Sequence, residues 1–318
     1  MKIIIHAGFH KTGSTSFQRN LASNQKRRKL PENIMYFMPT ENNRQYINSS
    51  LFLKKAFANQ SSRASERQKI DNFSVDKFKS QFENYVNKNP KCIIISGESI
   101  STLNEQSLNN LKKTLESFSS NVVLIGLIRP PYSSLNSNIQ QRIKQGIYIN
   151  LTRLEEMPMV KNSKYLDKII TLQEVFGSCA KLYPFTEAVK YQDGLTNYLL
   201  NKMEIECKIK DIVLNRSQSN LQIRLQNEIN KLAGSSVKDS ILLNSIYDDL
   251  EDRSNKFQLL EKEFMPIQHY IEQANENILE LLGVEFTDSS YMFSQELKAK
   301  EVIEYNARII EHILKKKN

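Results

Sequence analysis

The chain has 318 residues, 40% of them hydrophobic and 25% charged, and a formal net charge of +9 at pH 7. Those values are ordinary for a globular chain and exclude one too short or too polar to bury a core; they suit one large α/β domain or two modest ones. Three cysteines without CxxC spacing, Cys92, Cys179 and Cys207, argue against a disulfide framework and a zinc site, and Cys92 and Cys179 open apolar runs and read as core. The positive balance suits nucleic acid, a membrane surface or an anionic substrate, and equally suits nothing beyond solubility.

In chain order, Lys2–Ala7 reads as a buried strand and Thr15–Ser23 as a helix, separated by a loop. The polar, Ser/Arg-rich stretch Asn59–Lys69 reads as a loop. Ser74–Asn87 is a helix opened by a Ser cap, Cys92–Ser96 a second strand, Glu105–Phe118 a helix and Val122–Ile128 a third strand. Helices are expected over Pro131–Gly146 and Ser163–Phe176, then a strand over Cys179–Phe185. Strands alternating with helices predict an α/β fold in which a central, mostly parallel sheet lies between helical layers, with ligands at the carboxyl ends of the strands. After about Asn215 only helices are expected, over Ser217–Leu232, Asp239–Leu250, Lys256–Leu282 and Gln295–Lys317. The predicted organisation is an α/β core over 1–215 and a helical part over 216–318 packed on it, the two forming separate or continuous domains. No basic segment followed by a long apolar stretch opens the sequence, and the longest apolar runs are under ten residues, so a cytoplasmic chain without a membrane span is expected.

The first strand leads into HAGFHKTGST, His6 to Thr15. The spacing differs from the Walker A loop, in which the first Gly precedes the Lys by five residues; here Gly8 precedes Lys11 by three and Gly13 lies after it. The physics is still that of an anion cradle. Gly8 lets the chain turn sharply out of the strand. Thr12, Gly13, Ser14, Thr15 and Ser16 offer successive N–H groups at a helix N-terminus, where the dipole favours negative charge. Lys11 adds a full charge, and the hydroxyls of Thr12, Ser14 and Thr15 add donors. The bland reading of the same residues is a capped helix with an exposed lysine.

A second anion site is suggested by LIGLIRPPYSSLNSNIQQRI. Arg129 comes directly after the third strand, Pro131 suits a first helical position, and Ser137 lies eight residues beyond the arginine. A helix folding back would bring Arg129 and Ser137 to one phosphate, the guanidinium gripping it by two donors. Read blandly, the arginine caps a sheet edge and the serine is solvated.

Together the two stretches resemble the P-loop sulfotransferases, which use 3′-phosphoadenosine 5′-phosphosulfate. Lys11-Thr12-Gly13-Ser14-Thr15 is similar to that family's K-T-G-[ST]-[ST] loop for the 5′-phosphosulfate, and Arg129, Pro131 and Ser137 are similar to its 3′-phosphate motif, with Pro130 where the family often has an acidic or amide residue. RIKQG, VFGSCAKLYPF and NRSQS resemble the bacterial carbohydrate-type members. The strong motifs cover about 20 residues and the weaker likeness runs to about residue 232. The Gly-rich C-terminal nucleotide motif of the small-molecule members is absent.

The resemblance implies a P-loop-like three-layer fold and in-line transfer of a sulfuryl group to a hydroxyl or amine of a saccharide or glycoconjugate, without a metal, and without nucleic acid as partner. Such transfer depends on positioning and electrostatics. Lys11 is placed on the oxygen bridging sulfate and leaving phosphate. The acceptor needs a base, and two candidates stand: Glu98 in IIISGES at the end of the second strand, and His10 within the loop. A Glu with an ordinary pKa is a weak base, so burial is expected to raise it. His6, on the strand, reads as a hydrogen-bonded core histidine. Gln18 and Arg19, on the first helical turns, are open to acceptor contact, packing or solvent. Alternative readings are an ATP- and magnesium-dependent P-loop kinase, opposed by the loop spacing and the lack of a strand ending in Asp, and a non-enzymatic polyanion binder.

Overall fold

The computed structural model describes residues 1–9, 11–58, 73–161, 164–212, 218–233, 244–247, 249–250 and 255–317. It divides into two compact units, one comprising Met1–Pro130, Lys164–Leu214 and Leu282–Phe286, the other Pro131–Ser163, Asn215–Leu281 and Thr287–Asn318. Pro131–Ser163 thus groups with the later, helical part of the chain.

The first unit is built on a five-stranded sheet. Its strands are β1 (Lys2–Ala7), β2 (Ile34–Tyr36), β5 (Cys92–Gly97), β6 (Val122–Ile128) and β7 (Ala180–Pro184). Their order is β2-β5-β1-β6-β7, and every pairing is parallel. A separate two-stranded ribbon joins β3 (Thr40–Glu41) to β4 (Arg44–Gln45). Every residue of β5 and β6, and all of β1 after Lys2, is buried, which is why these strands read as unbroken apolar runs rather than alternating ones. On one face Ile4, Ile94 and Ile125 pack with Phe17 and Leu21 of helix α1 (Ser14–Lys26) and with Leu199 and Leu200 of helix Leu195–Lys202. Helices Ser50–Ala58, Glu105–Glu116 and Tyr165–Phe176 cover the other face. The result is the expected three-layer α/β arrangement with a parallel central sheet.

β2 escapes sequence reading because three residues, Ile34-Met35-Tyr36, carry no period. Its place at the sheet edge is fixed from outside: the Gln25 side chain accepts from Tyr36 N and donates to Tyr36 O. The strand expected over Cys179–Phe185 is shorter at both ends. Cys179 lies in the 3₁₀ turn Gly177–Cys179 and is only half-buried, and Phe185 opens helix Phe185–Lys190. Ser74 caps its helix as expected, accepting from Lys77 N at 3.2 Å. The stretch Asn59–Lys69 lies outside the described residues.

The second unit is helical among its described residues. Helix Pro131–Lys144 begins at the expected proline. Helix Asn220–Ala233 carries Arg224, whose guanidinium is paired with Glu263 at 2.7 Å, both nearly buried. The single helix expected over Lys256–Leu282 is instead Glu261–Phe264, a 3₁₀ turn Met265–Ile267 and Gln268–Leu282. Pro266 supplies no N–H, and Lys256 bridges Ser219 in an antiparallel pairing that keeps its segment extended. The helix expected from Gln295 starts at Ala299. Of Asp239–Leu250, the described residues 244–247 and 249 are helical, and of the helix expected from Ser217, residue 217 lies outside the described residues. No helix among the described residues is long and apolar enough to cross a membrane.

Candidate functional site

All five strands end on one side of the sheet, and past four of them the chain places a chemically distinct residue: Gly8 after β1, Glu98 after β5, Arg129 after β6 and Phe185 after β7. β1 lies between β5 and β6, so its loop is flanked by the carboxylate and the guanidinium. The chain order reverses at β1, with its next connection running to one side and the β5–β6 crossover passing over it, which is where open parallel sheets form ligand crevices.

The β1–α1 loop is held open by its own geometry. Gly8 N extends the ladder by donating to Gly97 O at 3.2 Å. A methyl group at Gly8 would stand 2.5 Å from Ser14 Oγ and 3.1 Å from Glu98 Cα, so only glycine lets loop, helix start and β5 end approach this closely. Thr12 closes the turn inward, its hydroxyl and N–H both donating to Phe9 O, at 2.8 and 3.4 Å. Lys11, exposed, takes a left-handed backbone with φ 63°, and Gly13 has φ 78° as the residue before α1. A lysine in that region is an uncommon, mildly strained choice of the sort that gathers at ligand sites. Gly13 is fixed twice over, since a Cβ there would also meet Leu195 Cδ1 at 2.6 Å. Gly13→Ala is therefore expected to lower unfolding free energy by about 1–3 kcal/mol, read as a shifted denaturation midpoint.

Phe17 N closes the first turn of α1 by donating to Gly13 O at 3.1 Å, and a helix start turns its first N–H groups outward from the helix. Ser14 Oγ is buried and has no hydrogen-bond partner among the described residues. A buried hydroxyl without a partner is costly, and beside a helix N-terminus and a lysine it suits an anion that would accept from it. Ser16 is buried next to it and Thr15 half-buried. His10 lies outside the described residues.

Glu98 opens the 3₁₀ turn Glu98–Thr102. Burial raises its carboxyl above the ordinary range, partly offset by the nearby charge of Lys11 and by a hydrogen bond from the Thr15 hydroxyl. The expected upward shift is present, and Thr15 takes a part the sequence did not suggest, as donor to the carboxylate rather than only to an anion. Ser101 locks the corner, its hydroxyl within 3.0 Å of both Gly8 O and Glu98 O.

Arg129 reaches the loop. One guanidinium N–H donates to Lys11 O at 3.0 Å, and the guanidinium carbon stands 4.8 Å from the centroid of the Phe185 ring. The Tyr165 hydroxyl accepts from Arg129 N at 2.8 Å and donates to Arg129 O at 3.1 Å, and its ring packs edge-on against Phe9. Tyr165, Phe185 and Ser101 have no local motif; only the pairing of strands far apart in sequence brings them here. Ser137 is half-buried on helix Pro131–Lys144, in the second unit.

Behind the loop, His6 is fully buried and its Nδ1 is 2.8 Å from Ser96 Oγ, which also accepts from Gln18 Nε2 at 3.1 Å. His6 is thus the core histidine expected, and Gln18 is a packing residue, while Arg19 is exposed. Burial pushes the His6 pKa down to about 3. The unfolded chain takes up that proton near pH 6.5 and the folded one does not, so this group's contribution is complete above pH 6.5 and is lost progressively toward pH 3. His6→Asn is expected to flatten the fall in denaturation midpoint between about pH 7 and pH 4 relative to wild type.

No family model matches the chain, and no curated protein matches it. Among solved structures it is similar to the crystal structure of a sulfotransferase from Alicyclobacillus acidocaldarius, at 11% identity and a TM-score of 0.44, covering 76% of this chain and 99% of that one. A likeness at that level assigns this chain no activity.

Proposed function

We propose that this chain is a sulfotransferase that uses 3′-phosphoadenosine 5′-phosphosulfate and acts on a hydroxyl or amine of a carbohydrate-type acceptor. The observation that carries it is the convergence at one sheet edge of an anion loop, a basic side chain and a carboxylate: Ser14 Oγ buried without a partner among the described residues, Lys11 beside Glu98, and Arg129 on the loop. The sequence likeness of Lys11–Thr15 and of Arg129, Pro131 and Ser137 supports the choice of donor, and Ser137 enters through that spacing alone. When bound, the donor supplies an activated sulfuryl group on a phosphate leaving group.

Each residue has its own part. Backbone N–H groups from Gly13 to Ser16 and the Ser14 hydroxyl hold the 5′ end. Lys11 places its ammonium where negative charge grows on the departing oxygen. Arg129, steadied by Tyr165 and Phe185, holds a second phosphate. Glu98 takes the acceptor's proton, its basicity raised by burial. Since the base works as carboxylate, turnover is expected to fall on the acid side through a pKa above the usual carboxylate value, and Glu98→Gln to erase that limb of the pH–rate profile. His10 stays the rival base from sequence.

The reading is tested by titrating the protein with 3′,5′-adenosine bisphosphate and with ATP plus magnesium, monitoring thermal stability. Protection by the bisphosphate without magnesium supports it. No protection by the bisphosphate, or protection only by magnesium ATP, refutes it in favour of a kinase-like enzyme.

A further inference from the structure

Three lysines of the first unit gather without counter-ions among the described residues. Lys54 lies on helix Ser50–Ala58, and Lys164 and Lys168 lie one turn apart at the start of helix Tyr165–Phe176. Lys54 and Lys164 are both near enough to Lys168 for their charges to disfavour its ammonium, and Lys168 is itself half-buried, which acts in the same direction. Among the described residues, none of the three has a carboxylate partner, and Asp167, between two of them in sequence, pairs with none. Lys54 and Lys168 are half-buried and Lys164 is exposed, so the three like charges repel one another only partly screened by water, and clusters that break this local rule gather at functional sites.

Its position points to the strand ends. Ser50, one turn before Lys54 on the same helical face, bonds to the residue after Glu98: Ser50 Oγ accepts from Ser99 N at 3.1 Å, and Ser50 O accepts from Ser99 Oγ at 2.6 Å. Tyr165, three residues before Lys168, is the tyrosine bonded to Arg129. Both helices pack on the turn Glu98–Thr102. Lys54 therefore stands on the helix joined to the Glu98 corner, and Lys164 and Lys168 stand on a helix that packs on the same turn while its Tyr165 reaches Arg129.

We propose that Lys54, Lys164 and Lys168 form an anion subsite beside Glu98 that takes a carboxylate or sulfate of an acidic saccharide acceptor. This rests on the sulfotransferase reading, which it narrows to acceptors already bearing negative charge. An acidic group there relieves the mutual repulsion of the ammonium groups and sets the saccharide next to the base.

The test is calorimetric titration of wild type and of the double variant Lys54→Gln, Lys168→Gln. The probes are a sulfated disaccharide, a uronate-containing disaccharide, a neutral disaccharide and a single-stranded oligonucleotide, with 3′,5′-adenosine bisphosphate titrated separately. Expected is a loss of at least about tenfold in affinity of the double variant for one or both acidic disaccharides, with bisphosphate affinity kept, a thermal midpoint equal to or above that of wild type, and binding restored by Lys54→Arg, Lys168→Arg. Which acidic probe loses affinity tells sulfate from carboxylate. Equal affinity of wild type and variant for both acidic probes overturns the subsite, as does an equal loss for the neutral one. An oligonucleotide that binds more tightly than either disaccharide and is lost in the variant overturns the saccharide assignment. Failure of wild type to bind the bisphosphate while the lysine-dependent binding persists overturns the sulfotransferase reading and leaves the subsite in place.

Discussion

Lys11→Ala is expected to reduce sulfuryl transfer by at least about a thousandfold while leaving the fold intact, a loss on the scale seen when a cationic group is withdrawn from a transferring phosphoryl group. The side chain is exposed, and removing it opens no cavity. The backbone there is left-handed, at φ 63°, a conformation alanine adopts no more readily than lysine, so a stability change of a few tenths to about 1 kcal/mol is the most the substitution produces. Lysine charge near Glu98 also holds that carboxyl down, so the variant's carboxyl shifts further upward. Single-turnover rates at saturating donor are the measurement. A variant that keeps wild-type turnover removes Lys11 from the chemistry.

Arg129→Ala is expected to act on binding. Losing a charge-assisted contact of about 2–3 kcal/mol raises the dissociation constant of 3′,5′-adenosine bisphosphate by roughly 30- to 160-fold. Because one guanidinium N–H also donates to Lys11 O, the loop loses a tether, and part of the effect belongs to a less ordered loop. Arg129→Lys separates the two: a lysine keeps charge but not the fork that spans loop and phosphate, so it recovers only a fraction of the affinity. Turnover at saturating donor stays near wild type if the role is holding rather than chemistry. Unchanged bisphosphate affinity in Arg129→Ala removes the arginine from the nucleotide site.

Much of this edge is legible in the sequence because its signals are local. β1, β5 and β6 are buried on both faces and so appear as apolar runs. The residue just past each run falls at a strand end by topology alone, which locates the loop, Glu98 and Arg129. The turn residues Gly8 and Gly13 carry their reason with them. What stays hidden is set by distance along the chain. β2 is three residues long and is positioned by Gln25. Tyr165 stands 36 residues from Arg129 and bonds its backbone twice. Ser101 ties β1 to β5 across 93 residues. The lysine trio joins two helices more than a hundred residues apart in sequence, so neither helix alone shows more than ordinary surface charge.

The most direct measurement is a crystal of this protein soaked with 3′,5′-adenosine bisphosphate. One phosphate is predicted within hydrogen-bond distance of Ser14 Oγ and the N–H groups from Gly13 to Ser16, and the other within reach of the Arg129 guanidinium. A bisphosphate seated elsewhere with the β1 loop unengaged, or no binding at saturating concentration, would contradict it.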